Sequence, residues 1–174
     1  MLNSIDNFNF RNCVDICNMT SKLKELDEQA WKSVCVNKPK LRTYVKFKSV
    51  LCPENYVKFC ASRKMRSFLA QIRLGILPLK IETGRFTGVK ADERFCDLCK
   101  TLVEDEEHFV FVCPNYEVLR AEVLKLICVS NNEFQLLDNY KKFHYMFNEK
   151  WKEIGKFLLG AWEKRQNSLY HSAV

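Results

Sequence analysis

The chain has 174 residues, and its 28 basic and 21 acidic side chains give a formal net charge of +7. Hydrophobic residues form 47% of the sequence and aromatic residues 13%, which excludes a chain that is mainly disordered. Only 5 glycines and 4 prolines are present, whereas a sandwich or barrel needs many tight turns, so a mainly α fold is predicted. No apolar run approaches the roughly 18 residues of a membrane-spanning helix, so we expect no membrane partner.

Nine cysteines are an unusual feature of this composition. The N-terminal sequence has neither the basic nor the apolar region of a secretory signal, which predicts an intracellular protein. Disulfides are rare in reducing compartments, so we expect the cysteines to be metal ligands, buried small side chains or reactive thiols.

Three segments follow one another along the chain. Residues 1–57 form an N-terminal helical segment, residues 58–128 a basic helix with a zinc-knuckle module, and residues 129–174 a C-terminal helical segment. The predicted architecture is therefore a small helical domain with an embedded Cys3His knuckle and a C-terminal amphipathic helix.

The spacing of apolar residues predicts the individual helices. Thr20 or Ser21 can cap the first helix, and its one side is lined by Leu23, Leu26, Ala30 and Trp31. Gly75 suits the C-terminal stop of the second helix. Residues 40–51 carry helical and alternating patterns together, so their type stays open. Helices are predicted over 20–35, from Pro53 to about Leu74, over 115–128 and over 149–165, with a loop or hairpin over 79–94.

The C-terminal helix has a continuous apolar stripe. Trp151, Ile154, Leu158 and Trp162 recur at helical spacing. Such a stripe ordinarily belongs to a core, and it could also dock a partner helix.

Basic charge is concentrated in one part of the chain. Residues 58–94 carry 9 basic and 3 acidic side chains, a net +6, whereas residues 95–118 carry 1 basic and 6 acidic side chains, a net −5. A local excess of this size suits a polyanionic partner, although a solvated basic face is the simpler alternative.

A set of potential metal ligands lies within the acidic stretch. Cys96-x2-Cys99-x8-His108-x4-Cys113 supplies three thiols and one imidazole, the donor set of a closed tetrahedral zinc site. Four protein ligands leave no open position for water or substrate, which argues against catalytic zinc. The alternative is three buried cysteines and a polar histidine.

Residues around these ligands suggest how the site is held. We expect backbone N–H groups of the Cys-x2-Cys turn to face the sulfurs, and Arg94 and Lys100 to offset the negative charge of the site. Glu104, Asp105 and Glu106 would occupy the first turn of a short helix, where acidic groups suit the helix dipole.

Several motifs in this region together resemble one protein family. They are R-x6-R-L-G (Arg66 to Gly75), I-E-x-G-R (Ile81 to Arg85), E-R-x-C-x2-C, E-D-E-x-H-F, and C-P-x-Y-x3-R (Cys113 to Arg120). The segments KPKLRTYVKFK (38–48) and KFLLGAWEKR (156–165) extend the likeness over most of residues 38–165. The chain resembles the C-terminal zinc-binding region of non-LTR (LINE-type) retrotransposon reverse transcriptases.

The resemblance implies a helical module that holds Zn²⁺ through Cys96, Cys99, His108 and Cys113 and grips RNA or DNA. The family's polymerase palm, paired aspartates and endonuclease have no counterpart here, which implies a fragment or domesticated remnant that is not an enzyme. A nuclear location is expected from the family likeness and the basic charge. The candidate nucleic-acid contacts are Arg63, Lys64, Arg66, Arg73, Lys80, Arg85, Lys90 and Arg94.

The leading hypothesis is a zinc-stabilised nucleic-acid-binding module with weak sequence specificity. The alternatives are a zinc-stabilised protein-interaction or assembly module and an expressed transposon remnant without a selected activity. His144 and His171 are expected at the surface. No role is assigned to the six remaining cysteines, Cys13, Cys17, Cys35, Cys52, Cys60 and Cys128.

Overall fold

The computed structural model describes residues 10–38, 41, 43–48, 50–59 and 62–171. Most of these residues are helical and none forms a named strand, which confirms the mainly α prediction. The helices are α1 (Phe10–Asn37), α2 (Tyr44–Phe47), α3 (Asn55–Lys58), α4 (Arg63–Leu74), α5 (Lys80–Thr83), α6 (Glu117–Ser130), α7 (Asn139–Asn148) and α8 (Trp151–His171). No helix in the described ranges is both long and apolar enough to span a bilayer.

The C-terminal helix α8 lies at the centre of the fold. Helices α4, α6 and α7 all pack against it, and its Ile154 and Leu158 are fully buried. A Cβ at Gly155 would lie 2.7 Å from Cγ of Met65, so the glycine permits the close approach of α4. Gly155 therefore gives α8 a packing advantage that offsets its low helix propensity.

Helix α4 begins and ends with well-formed caps. The Ser62 side chain accepts a hydrogen bond from the Met65 N–H, and Gly75 follows the last turn with a left-handed φ of 65°. The predicted stop at Gly75 is thus confirmed, but the helix predicted from Pro53 onward is wrong. Separate helices, α3 and α4, occupy that stretch.

Two other parts of the chain differ from the prediction. Residues 80–83 form helix α5, and the turns after it contain no hairpin among the described residues. Helix α7 had not been predicted individually, yet Asp138 caps it by accepting from the Lys141 N–H at 2.8 Å. Its buried Phe143 and Phe147 pack their rings against Phe47 of α2.

One hydrophobic core draws on all three predicted segments. Its buried members include Phe47 from the first, Leu69 and Phe109 from the second, and Phe147 and Leu158 from the third. The boundaries of the segments stay a prediction. Because the core is shared, the Cys-rich segment is packed against the same apolar side chains as the long helices.

Helix α1 differs from the rest because it has little contact with the core. Its described apolar side chains are mostly exposed, including the predicted Leu23 and Leu26. Among the described residues, its contact with the body lies at its C-terminal end, where Cys35 is buried and the Trp31 ring meets Tyr44 edge-on, 6.3 Å between centroids.

Candidate metal centre

A tight turn holds the first two cysteines together. The Lys100 N–H donates to the Cys96 carbonyl at 2.9 Å, and the Cys96 N–H donates to the Leu102 carbonyl at 2.8 Å. Lys100 adopts a left-handed φ of 58°, which closes the turn directly after Cys99. The segment from Cys96 to Cys99 therefore folds back on itself, and both thiols lie on the inner side of the turn.

Backbone amides face all three sulfurs, whereas the sequence predicted this only for the two sulfurs of the Cys-x2-Cys turn. The amides of Leu98 and Cys99 hydrogen bond to the Cys96 sulfur. The amides of Thr101 and Leu102 hydrogen bond to the Cys99 sulfur, to which the Thr101 hydroxyl also donates at 3.2 Å. The backbone amide of Asn115 hydrogen bonds to the Cys113 sulfur. These donors stabilise thiolates and hence a bound cation.

A widened helical turn brings the other two ligands together. Residues 106–112 form a short helix that ends in a π-helical turn over His108–Val112, closed by a hydrogen bond from the Cys113 N–H to the His108 carbonyl at 2.8 Å. In an α-helix, residues five apart differ by about 140° in direction. The wider turn removes most of that difference, and Pro114 follows it immediately.

The four candidate ligands form one compact cluster. The thiol sulfurs of Cys96, Cys99 and Cys113 and a ring nitrogen of His108 all lie within 4.8 Å of one another. Cys96 Sγ and Cys113 Sγ are 4.0 Å apart, and Cys99 Sγ and His108 Nε2 are 3.4 Å apart. The arrangement could hold a metal ion, as the sequence motif predicted.

Burial sets the protonation of these groups. It raises the pKa of Cys96 to about 12 and also raises that of Cys113. It lowers the pKa of His108, which favours a neutral imidazole that can bind a metal. For Cys99, burial raises the pKa, but hydrogen bonds from Thr101 and Leu102 outweigh it and bring the pKa down to about 7.

An ion pair unforeseen from the sequence connects this cluster to α8. Glu104 is fully buried, and both its oxygens accept hydrogen bonds from Arg165, at 2.8 and 2.7 Å. One of them lies 3.7 Å from the Cys96 sulfur, and the other accepts from the Lys80 N–H at 2.9 Å. The placement of Glu104 in a first helical turn was wrong. Asp105 instead caps the short helix through the His108 N–H, at 2.8 Å.

An arginine other than the expected Arg94 lies beside the candidate ligands. The Arg94 guanidinium bonds to the carbonyls of Ile81 and Val89, which takes it away from the cluster. Arg120 instead donates to the Cys113 carbonyl at 2.6 Å and fixes the end of the π-helical turn. Its position seven residues after Cys113, in the first turn of α6, is the sequence signal that could have found it.

The structure contradicts the prediction that Arg73 is an exposed nucleic-acid contact. Arg73 is only 1% exposed and pairs with Glu54 at 2.9 Å. Its guanidinium lies over the rings of Phe47 and Tyr56, 5.4 and 5.8 Å from their centroids. A basic residue near the end of an amphipathic helix is read as solvated, but this one joins α4 to α2 and α3.

The remaining candidate nucleic-acid contacts differ in whether an acidic side chain pairs with them. Lys80 pairs with Asp97 at 3.0 Å, and Arg85 pairs with Glu82 at 2.9 Å. Among the described residues, no ion pair engages the other four, Arg63, Lys64, Arg66 and Lys90, and all but the half-buried Arg66 are exposed.

The predicted partner-docking stripe on α8 is used inside the domain. Trp151, Ile154 and Leu158 are buried, and the half-buried Trp162 packs against Phe68. Of the cysteines without a predicted role, Cys35 is buried, Cys128 is half-buried, and Cys17 and Cys52 are exposed. The side chain of Cys13 and all of Cys60 lie outside the described residues, as does the side chain of His171, whereas His144 is exposed as expected.

Comparisons with protein-family models, curated proteins and solved structures return no match to this chain.

Proposed function

We propose that the chain is a zinc-stabilised nucleic-acid-binding module without polymerase activity of its own. Bond lengths of zinc to thiolate and imidazole predict tetrahedral edges of about 3.8 Å between sulfurs and about 3.5 Å between sulfur and nitrogen. The 4.0 Å from Cys96 Sγ to Cys113 Sγ and the 3.4 Å from Cys99 Sγ to His108 Nε2 match these edges. Three soft ligands and one imidazole favour Zn²⁺ over harder cations.

The role of this metal would be structural. Cys96, Cys113 and His108 are buried, and four protein ligands complete a tetrahedron. Metal binding would hold the turn at Cys99 against the helix that carries His108, and this assembly packs into the main core. The binding free energy would therefore contribute to folding.

The observation that carries nucleic-acid binding is the first turn of α4. Arg63, Lys64 and Arg66 lie there with no acidic residue in the turn and no ion-pair partner in the described ranges. Cations at a helix N-terminus oppose the helix dipole by about 0.3–1 kcal/mol each at low salt. A phosphate backbone at this end would reverse that cost because it interacts favourably with both the dipole and the side chains.

Contacts of this type position a nucleic acid without reading its bases. Further phosphate contacts along the segment that leads to the candidate metal centre would come from Lys90, and from Lys80 and Arg85, which also pair with acidic side chains. The likeness to the zinc-binding region of non-LTR retrotransposon reverse transcriptases supports the same assignment.

Salt-dependent binding tests the proposal. Fluorescence anisotropy with single-stranded RNA and duplex DNA should compare the wild-type chain with a triple variant, Arg63→Ala, Lys64→Ala and Arg66→Ala. On duplex DNA, each lost phosphate contact should reduce the log–log salt slope by about 0.9. Arg73 is left intact because its removal would disturb the core.

A second triple variant provides the matched control. Lys125→Ala, Lys156→Ala and Lys164→Ala remove the same charge from exposed positions on α6 and α8. We expect this variant to keep most of the affinity. Equal losses in both variants would show that net charge alone drives binding, and an absence of binding at low salt would favour the assembly module or the remnant.

A further inference from the structure

Helix α1 presents an apolar stripe to solvent along most of its length. Its 28 residues span about 42 Å, and within the described part of the chain its contact with the body lies at the C-terminal end. Ile16, Met19, Leu23 and Leu26 are 55%, 65%, 58% and 53% exposed. Helices in water gain most of their stability from a packed apolar face, so this face requires a partner.

The stripe follows a heptad pattern. Ile16, Met19, Leu23, Leu26 and Ala30 are separated by three, four, three and four residues, which assigns them alternately to positions a and d. This is the spacing of a seam between two supercoiled helices, and Val34 extends the apolar edge of the seam.

The body of the domain does not cover this seam. At about 100° of rotation per residue, Trp31 and Cys35 lie on a face roughly 100° or more away from the centre of the stripe. These two residues make the contact with the body. The seam and the body contact therefore occupy different faces, and one does not exclude the other.

From this geometry we infer that α1 pairs in parallel with α1 of a second copy of the chain to form a two-stranded coiled coil. The flanking charges identify the occupant. Lys22 occupies position g and Asp27 the following position e, which face each other across a parallel pair. Twofold symmetry makes this attractive contact twice.

An antiparallel pair lacks this complementarity. There, g positions face g positions, so Lys22 would meet Lys22 or Gln29 of the other helix along the stripe. Both side chains that form the parallel contact are exposed, and no ion pair engages either of them among the described residues.

Sedimentation equilibrium of the full chain tests this inference. The wild-type protein should dimerise, and Leu23→Asp with Leu26→Asp should make it monomeric. Lys22→Glu and Asp27→Lys should each raise the dimer dissociation constant about tenfold or more, which corresponds to about 1.4 kcal/mol. An equimolar mixture of the Lys22→Glu and Asp27→Lys proteins should form a heterodimer, because each g–e contact becomes attractive again.

Matched charge reversals outside the seam are the control. Lys24→Glu and Glu25→Lys change the same charges at positions b and c of the same helix and should leave dimerisation unchanged. A wild-type chain that stays monomeric at about 200 micromolar, far above the dissociation constants of stable dimers, would overturn the inference. So would a dimer that survives Leu23→Asp with Leu26→Asp, or two charge-reversed proteins that do not pair.

Discussion

Arg165 on α8 donates two hydrogen bonds to Glu104, a residue 61 positions earlier in the chain, at 2.8 and 2.7 Å. Both side chains are almost completely buried. The pair joins the Cys-rich segment to the central helix, and one Glu104 oxygen lies 3.7 Å from the Cys96 sulfur. The position of the candidate metal centre relative to the core therefore depends on this contact.

Removing one member of the pair should destabilise the protein strongly. Glu104→Ala leaves the buried Arg165 charge with only its longer contact to Asp97, at 3.8 Å, and loss of a buried partner costs about 3–5 kcal/mol. Replacing both, with Glu104→Leu and Arg165→Met, should recover most of the loss because no charge is then stranded. Urea unfolding at fixed zinc concentration measures the difference. Glu163→Ala, at an exposed position of α8, should change the free energy of unfolding little. Equal stability of the single and double variants would contradict this account.

Zinc content should depend on the four clustered side chains. Native mass spectrometry should find one zinc ion per chain, lost in Cys96→Ser and in His108→Ala, because either change removes a ligand. Cys128→Ser is the matched control, since Cys128 is half-buried on α6 and does not belong to the cluster. A protein that folds without metal, or that keeps its zinc in both ligand variants, would refute the zinc assignment.

Zinc affinity should fall as the pH is lowered. Burial raises the pKa of Cys96 to about 12 and raises that of Cys113, so both thiols must lose a proton on binding near neutral pH. The lowered pKa of buried His108 keeps the imidazole neutral and adds no proton competition there. Competition with a chelator at about pH 6, 7 and 8 should show steadily weaker binding towards acid. A zinc affinity that does not change with pH would contradict the raised pKa values of Cys96 and Cys113.

Two glycines with similar positive φ values distinguish the cost of backbone strain from the cost of steric crowding. Gly75 and Gly88 have φ values of 65° and 70°, which cost an alanine about 1–2 kcal/mol. A Cβ at Gly75 would also lie 2.9 Å from Thr43 Oγ1, whereas one at Gly88 meets nothing within 4 Å. Gly75→Ala should therefore destabilise the protein more than Gly88→Ala in thermal unfolding. Equal losses would show that Thr43 moves aside without cost.

Local chemistry could be predicted from the sequence more readily than long-range pairing. The cluster of candidate ligands could be predicted because Cys96, Cys99, His108 and Cys113 lie within 18 residues, and the Gly75 stop because a helix cap is a local feature. The Glu104–Arg165 pair was not recoverable, since a lone charged residue is usually solvated and nothing local points to a partner 61 residues away.

The wrong assignment of Arg73 has the same origin. Its spacing from Arg66 suggested a shared polar face, but the rings of Phe47 and Tyr56 and the carboxylate of Glu54 come from other helices or the loops beside them. Helical periodicity identifies which residues share a face and does not identify what covers that face. The exposed Leu23 of α1 shows the converse, an apolar face left outside the domain.

The π-helical turn between His108 and Cys113 ties the length of the chain there to the type of helix. With the same spacing, an α-helical turn would direct the Cys113 thiol about 140° away from His108, whereas deleting one residue would leave the two side chains about 40° apart on one face of an α-helix. Val112 is exposed within this turn, so its side chain is free to vary. Evolutionary drift should therefore alter side chains at this point, and distant relatives should carry either a gap of four residues with a π-helical turn or a gap of three with an α-helical turn.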